Sequence, residues 1–250
     1  MIIFYKLLLT IISLLLRINS ETISSENEFR NIISNDMKIL EIYVKNKINF
    51  KDNVNIIKSF EKISITGSSI GNSILNFNDL SHGFYINENV EEIELINVSI
   101  IGNIYFNNVK KITIKGVSFQ GNIETNFEKI DNEYIKISNF LYNPSKITNY
   151  NCINLEGNVE IENSDFYGSS SCQNRLLSFN GSNKYKLSIK YSHFSGEYSC
   201  PCVQIYNCTN SNIENSTIEN AYVPLGVNGG KCYNITKRKY YIEKLKLTLI

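Results

Sequence analysis

Asp165 and His193 are the residues whose types and spacing point most directly to chemistry. Each stands four places after an isoleucine, in Ile161-Glu-Asn-Ser-Asp-Phe166 and in Ile189-Lys-Tyr-Ser-His-Phe194. Stacked as neighbouring coils, these segments put the two side chains next to each other on an outer surface. A carboxylate raises the proton affinity of an adjacent imidazole, and such a pair can exchange protons with a substrate. The plainer reading is a solvated ion pair of little energetic weight. It is supported by the rest of the column, an ordinary polar row of Ser69, Ser99, Ser118, Asn139 and Thr217.

Tyrosine supplies a second possibility. Tyr142, Tyr167, Tyr191 and Tyr198 fall near expected bends, where a ring either packs under a loop or offers a flat apolar face to a sugar.

Six cysteines, an even number, fit an oxidising compartment. Cys172 and Cys200 share an offset of eleven from Ile161 and Ile189, and Cys208 and Cys232 share an offset of nineteen from Ile189 and Ile213. Coils stacked at about 4.8 Å bring equal offsets within the roughly 4.4–6.8 Å that a disulfide needs. Cys172–Cys200 and Cys208–Cys232 are therefore the expected bridges, which leaves Cys152 and Cys202 in coils that are not adjacent. A zinc set of Cys200, Cys202, Cys208 and His193 has suitable ligand types, but disulfides are the better reading for an exported chain. No metal or cofactor is expected.

Export is itself read from the N-terminus. Lys6 precedes the apolar run Leu7–Leu16, and polar sequence begins at Glu21, which is the outline of a secretory signal peptide cut near Ser20. The run is too short to span a bilayer, and no membrane attachment is expected after cleavage. Five Asn-x-Ser/Thr sequons, at Asn97, Asn180, Asn207, Asn215 and Asn234, are candidate glycosylation sites. With 25 basic against 24 acidic residues, the chain lacks the clustered basic surface of a nucleic-acid binder.

The elements that must position these groups follow from composition and repetition. The chain has 39 Ile and 37 Asn beside one Ala, Ala221, which favours strands and turns over helices. One pattern recurs seven times, anchored at Ile65, Leu95, Ile114, Ile135, Ile161, Ile189 and Ile213, with a weaker eighth copy at Ile242. The anchor and the residue five later are apolar and should face inward. Two places after the anchor stand Gly67, Asn97, Gly116, Asn163 and Asn215, residues that tolerate a left-handed backbone. Each copy thus reads as strand, bend, strand, and short strands of this kind bury an apolar face only by stacking on one another.

The Ile-x-Asn-Ser-x-Phe-x-Gly pattern over residues 38–250 resembles the coils of the right-handed parallel β-helix, or pectin lyase-like, superfamily. The resemblance implies an all-β solenoid of about seven or eight coils, after a signal peptide over 1–20 and a capping helix within 21–37. Ser25-Glu-Asn-Glu28 has the spacing of a capping box, and Phe29, Ile32 and Ile33 share one face of that helix. At the other end Leu245–Ile250 alternates as a strand with no cap after it, as in a bare last coil or a piece of a longer relative.

The superfamily's enzymes carry motifs that this sequence lacks. There is no Asp-Asp, no Arg-Ile-Lys and no Trp, and the nearest approach to Gly-His-Gly is Ser81-His82-Gly83. The expectation is a secreted, non-catalytic repeat protein presenting a flat surface to polysaccharide, cell-surface glycan or protein, as an adhesin or wall-associated module. The alternative is a divergent polysaccharide lyase or glycosidase, with Asp165 and His193 as its catalytic candidates.

Overall fold

The computed structural model describes residues 18–127, 133–144, 151–172, 174–208, 210–221, 223 and 225–228. Cys232, Asn234, the copy at Ile242 and the strand at 245–250 lie outside the described residues. The chain is an all-β parallel solenoid, with eight coils among the described residues. Each coil contributes one strand to each of three parallel sheets. Sheet A receives, in order, Ile39–Val44, Phe60–Gly67, Val90–Ile96, Lys111–Lys115, Tyr134–Ser138, Asn158–Glu162, Lys186–Lys190 and Asn210–Glu214, which define coils 1 to 8. Sheet B runs from Ile48–Phe50 to Thr217–Glu219, and sheet C from Val54–Ile56 to Leu225–Asn228.

The core is a set of stacked columns, because each strand alternates sides and parallel register repeats the inward positions from coil to coil. The anchor column on sheet A is Ile42, Ile65, Leu95, Ile114, Ile137, Ile161, Ile189 and Ile213, each at most 1% exposed. Coil 5 corrects the sequence reading by two residues. Ile137 is the anchor, and Ile135 stacks in the neighbouring column between Ile112 and Val159. On sheet B the column is Ile48, Leu75, Ile100, Phe119, Tyr142, Phe166, Phe194 and Ile218. Its aromatic stretch is tightest where the rings of Phe166 and Phe194 stack with centroids 4.4 Å apart.

The bends two places after the anchor are left-handed at Asn97, Gly116, Asn139, Asn163, Tyr191 and Asn215, with φ between 48° and 62°. Asparagine suits this site because its short polar side chain tolerates that backbone region. The first copy departs from the pattern. Gly67 ends a long strand without a positive φ, and residues 68–73 form an inserted loop. Consequently Leu75 takes the inward place expected of Ile70, which is left 40% exposed.

The N-terminal end is covered. Strand β1 (Ile18–Ile23) pairs with the first strand of sheet A, and helix α1 (Glu26–Ile33) follows it. Ser25 caps α1 by accepting from the Glu28 amide, while the Glu28 carboxylate accepts from the Ser24 amide at 2.6 Å. Phe29 then seats edge-on against Phe50, 5.3 Å away, and beside Phe84 at 5.6 Å. Arg30 fastens the helix to the first coil through the carbonyls of Asp52 and Asn53.

Candidate functional site

Sheet B carries the site. Its strands in coils 6, 7 and 8 are Asp165–Tyr167, His193–Ser195 and Thr217–Glu219. Parallel pairing sets Asp165 against His193 and His193 against Thr217, with Tyr167, Ser195 and Glu219 in the next outward column. The rows are held by backbone bonds in which the His193 amide donates to Ser164 and the Thr217 amide to Ser192, both at 2.9 Å.

A serine ladder fixes the bend beneath these strands. Ser164, Ser192 and Ser216 are buried, and each hydroxyl donates to the carbonyl two residues earlier in its own coil. Each also accepts from the amide of the preceding coil, namely those of Phe140, Ser164 and Ser192. The bend that aims Asp165 and His193 outward is therefore satisfied from both sides, as buried polar groups require.

His193 is held between two carboxylates. Its Nε2 lies 3.0 Å from Glu219 Oε1, and its Nδ1 lies 3.8 Å from Asp165 Oδ1. The side chain is 27% exposed, against 56% for Asp165 and 39% for Glu219. The Tyr167 ring meets the imidazole edge-on at 5.7 Å. Below it, Ser195 Oγ donates to Glu197 Oε1 at 2.7 Å and accepts from Asn220 Nδ2 at 3.4 Å. The juxtaposition of Asp165 and His193 expected from the repeat is present, and Glu219 is the member that reading along one column overlooks. Its signal was available, since it stands six places after Ile213 as Tyr167 and Ser195 stand after their own anchors.

The tyrosines divide. Tyr191 and Tyr198 are 60% and 72% exposed, each raised on a left-handed residue, in the bends on either side of the His193 strand. Tyr167 is half-buried. Tyr142 is fully buried in the sheet B column, its hydroxyl donating to the Gly121 carbonyl at 2.9 Å, and offers no face to a ligand. In the column of Asp165, coil 5 presents Leu141 where Asn139 was expected, and coil 2 presents Ile74 in place of Ser69. Asn139 is the bend residue of its coil. His82 lies elsewhere, its Nδ1 3.0 Å from the Lys51 carbonyl.

The disulfides correct the expectation. Cys172 is bonded to Cys152, with Cα atoms 5.2 Å apart, and Cys200 and Cys202 are buried free thiols. The bridge runs from the turn of coil 6 back to the sheet C strand of coil 5, and not from turn to turn. Cys200, four residues after Gly196 as Cys172 is after Gly168, has no such partner. In coil 6 the place of Cys152, just before the paired Ile153 and Leu177, is held by Leu176. The Cys200 sulfur instead lies against Gly168, where an added Cβ would come within 2.4 Å of it. Burial raises the Cys200 thiol and pushes that of Cys202 far up. Cys208 is disulfide-bonded. Among the described residues no group of three or more His, Cys, Asp or Glu is arranged to hold a metal.

Three of the sequons lie on bends. Asn97, Asn207 and Asn215 are exposed left-handed residues, whereas Asn180 is half-buried and its Oδ1 accepts from the Ser182 amide at 3.1 Å. Comparison with protein family models, characterised proteins and solved structures gives no match.

Proposed function

We propose that this chain is a secreted, non-catalytic β-helix protein of the pectin lyase-like type, which presents the sheet B face of coils 6–8 to glycans on a cell or wall surface. The observation that carries this reading is His193, with each ring nitrogen turned to a carboxylate and exposed tyrosines in the bends on either side. A general acid or base needs a nitrogen within hydrogen-bond reach of the substrate, and Nε2 here is already bonded to Glu219. The same row suits binding, because exposed carboxylates held in place by His193 accept from hydroxyls while Tyr191 and Tyr198 offer ring faces. The leader-like N-terminus and the disulfides support export. Cleavage after Ser20 leaves Glu21–Ile23 paired with Ile42–Val44.

The test is a panel of soluble polysaccharides applied to protein recovered from culture medium with Glu21 as its first residue. Binding without release of unsaturated or reducing-end products is expected, weakened in Tyr198→Ala and in His193→Ala. Product release above a heat-killed control, abolished by Asp165→Asn or His193→Ala, would establish the enzymatic alternative instead.

A further inference from the structure

The bends between sheets A and B form a column of their own, and one place in it breaks the local rule. Asn97, Gly116, Asn139, Asn163, Tyr191 and Asn215 occupy it in coils 3 to 8, all of them left-handed. Asparagine and glycine tolerate that backbone region, whereas a bulky aromatic residue there is an outlier. Tyr191 nonetheless adopts a φ of 51° and holds its side chain 60% exposed. Its hydroxyl makes no hydrogen bond and its ring meets no other ring among the described residues. A strained residue with no such use inside the fold points to one outside it.

The next place in the column is Asn215, the first residue of the sequon Asn215-Ser-Thr217. The bends keep register, the Asn163 amide donating to the Lys190 carbonyl and the Tyr191 amide to the Glu214 carbonyl, both at 3.1 Å. Tyr191 and Asn215 therefore stand side by side, one coil spacing of about 4.8 Å apart. Asn215 is exposed, and its carboxamide makes no hydrogen bond among the described residues. The other exposed sequons have glycines as their described neighbours. Asn97 lies between Gly67 and Gly116, where an added Cβ would come within 2.4 and 2.5 Å of its two oxygens. Asn207 lies against Gly181, where an added Cβ would come within 2.7 Å of its carbonyl oxygen.

We infer that Asn215 is an N-glycosylation site and that the first sugar of its glycan, an N-acetylhexosamine, lies on the Tyr191 ring. The transfer replaces one Nδ2–H bond of Asn215 by a bond from that nitrogen to the anomeric carbon of the sugar. The pyrophosphate of a polyprenyl-linked donor leaves, and the proton passes to a base of the transferase. A sugar so attached reaches across one coil spacing, and its C–H face covers an aromatic ring as a flat apolar surface does. This gives a reason for tyrosine at a place where the backbone prefers asparagine. The inference rests on the export that the proposed function also supposes. It goes further by assigning Tyr191 to the chain's own sugar, which leaves Tyr198 as the ring open to an external glycan.

The experiment is glycopeptide mass spectrometry of the full chain exported by a eukaryotic host, followed by tyrosine nitration of the folded protein before and after enzymatic removal of the glycan. Asn215 is expected to be occupied. Tyr191 should react severalfold faster once the sugar is gone, while Tyr198 reacts at one rate in both forms. Asn215→Gly keeps a residue suited to the left-handed bend and removes the acceptor, so it should show the fast Tyr191 rate with no enzyme added. An empty Asn215 in exported protein, a Tyr191 rate indifferent to the glycan, or a gain shared equally by Tyr198 would overturn the inference and leave the sheet B reading standing. Failure of export would overturn both. Exported protein that shields Tyr191 and binds no polysaccharide would overturn the sheet B reading alone.

Discussion

Single side chains here are governed by whether burial leaves them a partner. Cys200 and Cys202 are enclosed without a disulfide partner, their thiols donating to the carbonyls of Gly196 and Glu219, and these raised thiols hold little of the reactive thiolate. A thiol reagent at about pH 8 should therefore leave both untouched in the native protein and modify both after unfolding without reductant. Rapid labelling of the folded chain would contradict their burial. Tyr134 and Glu160 give a pH signature on sheet A. Burial, followed by its bond to Glu160, raises the Tyr134 phenol from 10.0 to about 12, so its contribution to stability is complete below pH 10 and lost as pH climbs toward 12. The bond from Tyr134 lowers Glu160 below its ordinary 4.5, so that contribution is present above 4.5 and lost as pH falls through the lowered value. Tyr134→Phe should flatten the alkaline step and shrink the acid one in melting curves taken across pH. Unchanged curves would show that the pair does not couple to folding.

The strand-and-bend unit was legible because its inward places repeat and because asparagine or glycine marks the left-handed turn. The coil 5 misreading comes from the two-residue period of a strand. Ile135 and Ile137 are both buried on the same side of their strand, so either serves as an anchor by hydrophobicity alone. Taking Ile135 put Phe140 at the inward sheet B place and Tyr142 near a bend. The true frame at Ile137 buries Tyr142 and exposes Leu141. The disulfide was misjudged for a related reason, since equal offsets locate matching turns but not the direction a turn faces. Glu219 went unread because it stands not in the column of Asp165 and His193 but in the neighbouring one, with Tyr167 and Ser195. The serine ladder supplies a test at this scale. Ser192→Ala removes the acceptor of the buried Ser164 amide and the donor to Lys190, and should cost about 1–3 kcal/mol for the amide left unsatisfied. Ser188→Ala, on the outward face of the same coil, should be near neutral in denaturant melts. Equal effects would mean that the ladder adds nothing.

Across the whole molecule, stability is a sum over contacts between successive coils, because each coil touches only its neighbours. The eight coils share one continuous core, closed at one end by β1 and α1. A lesion should then matter according to how many coil interfaces it breaks, not only according to how well its site is buried. Ile114 and Ile213 allow this to be measured, since both are 1% exposed and occupy the same column. Ile114 is flanked by Leu95 and Ile137, so a charge there disrupts two interfaces in the middle of the stack. Ile213 belongs to the eighth coil and pairs with Ile189 on the side of coil 7. Aspartate at either place has no counter-charge, and burying an unpaired carboxylate costs several kcal/mol. Ile114→Asp should lower the melting temperature by roughly 10 °C or more and speed amide exchange in coils 3 to 5. Ile213→Asp should lose protection in coils 7 and 8 while coils 1 to 4 keep theirs. Unaltered melting in Ile114→Asp would remove the anchor column from the core. Uniform loss of protection in both variants would show a single cooperative block and not a chain of nearest-neighbour coils.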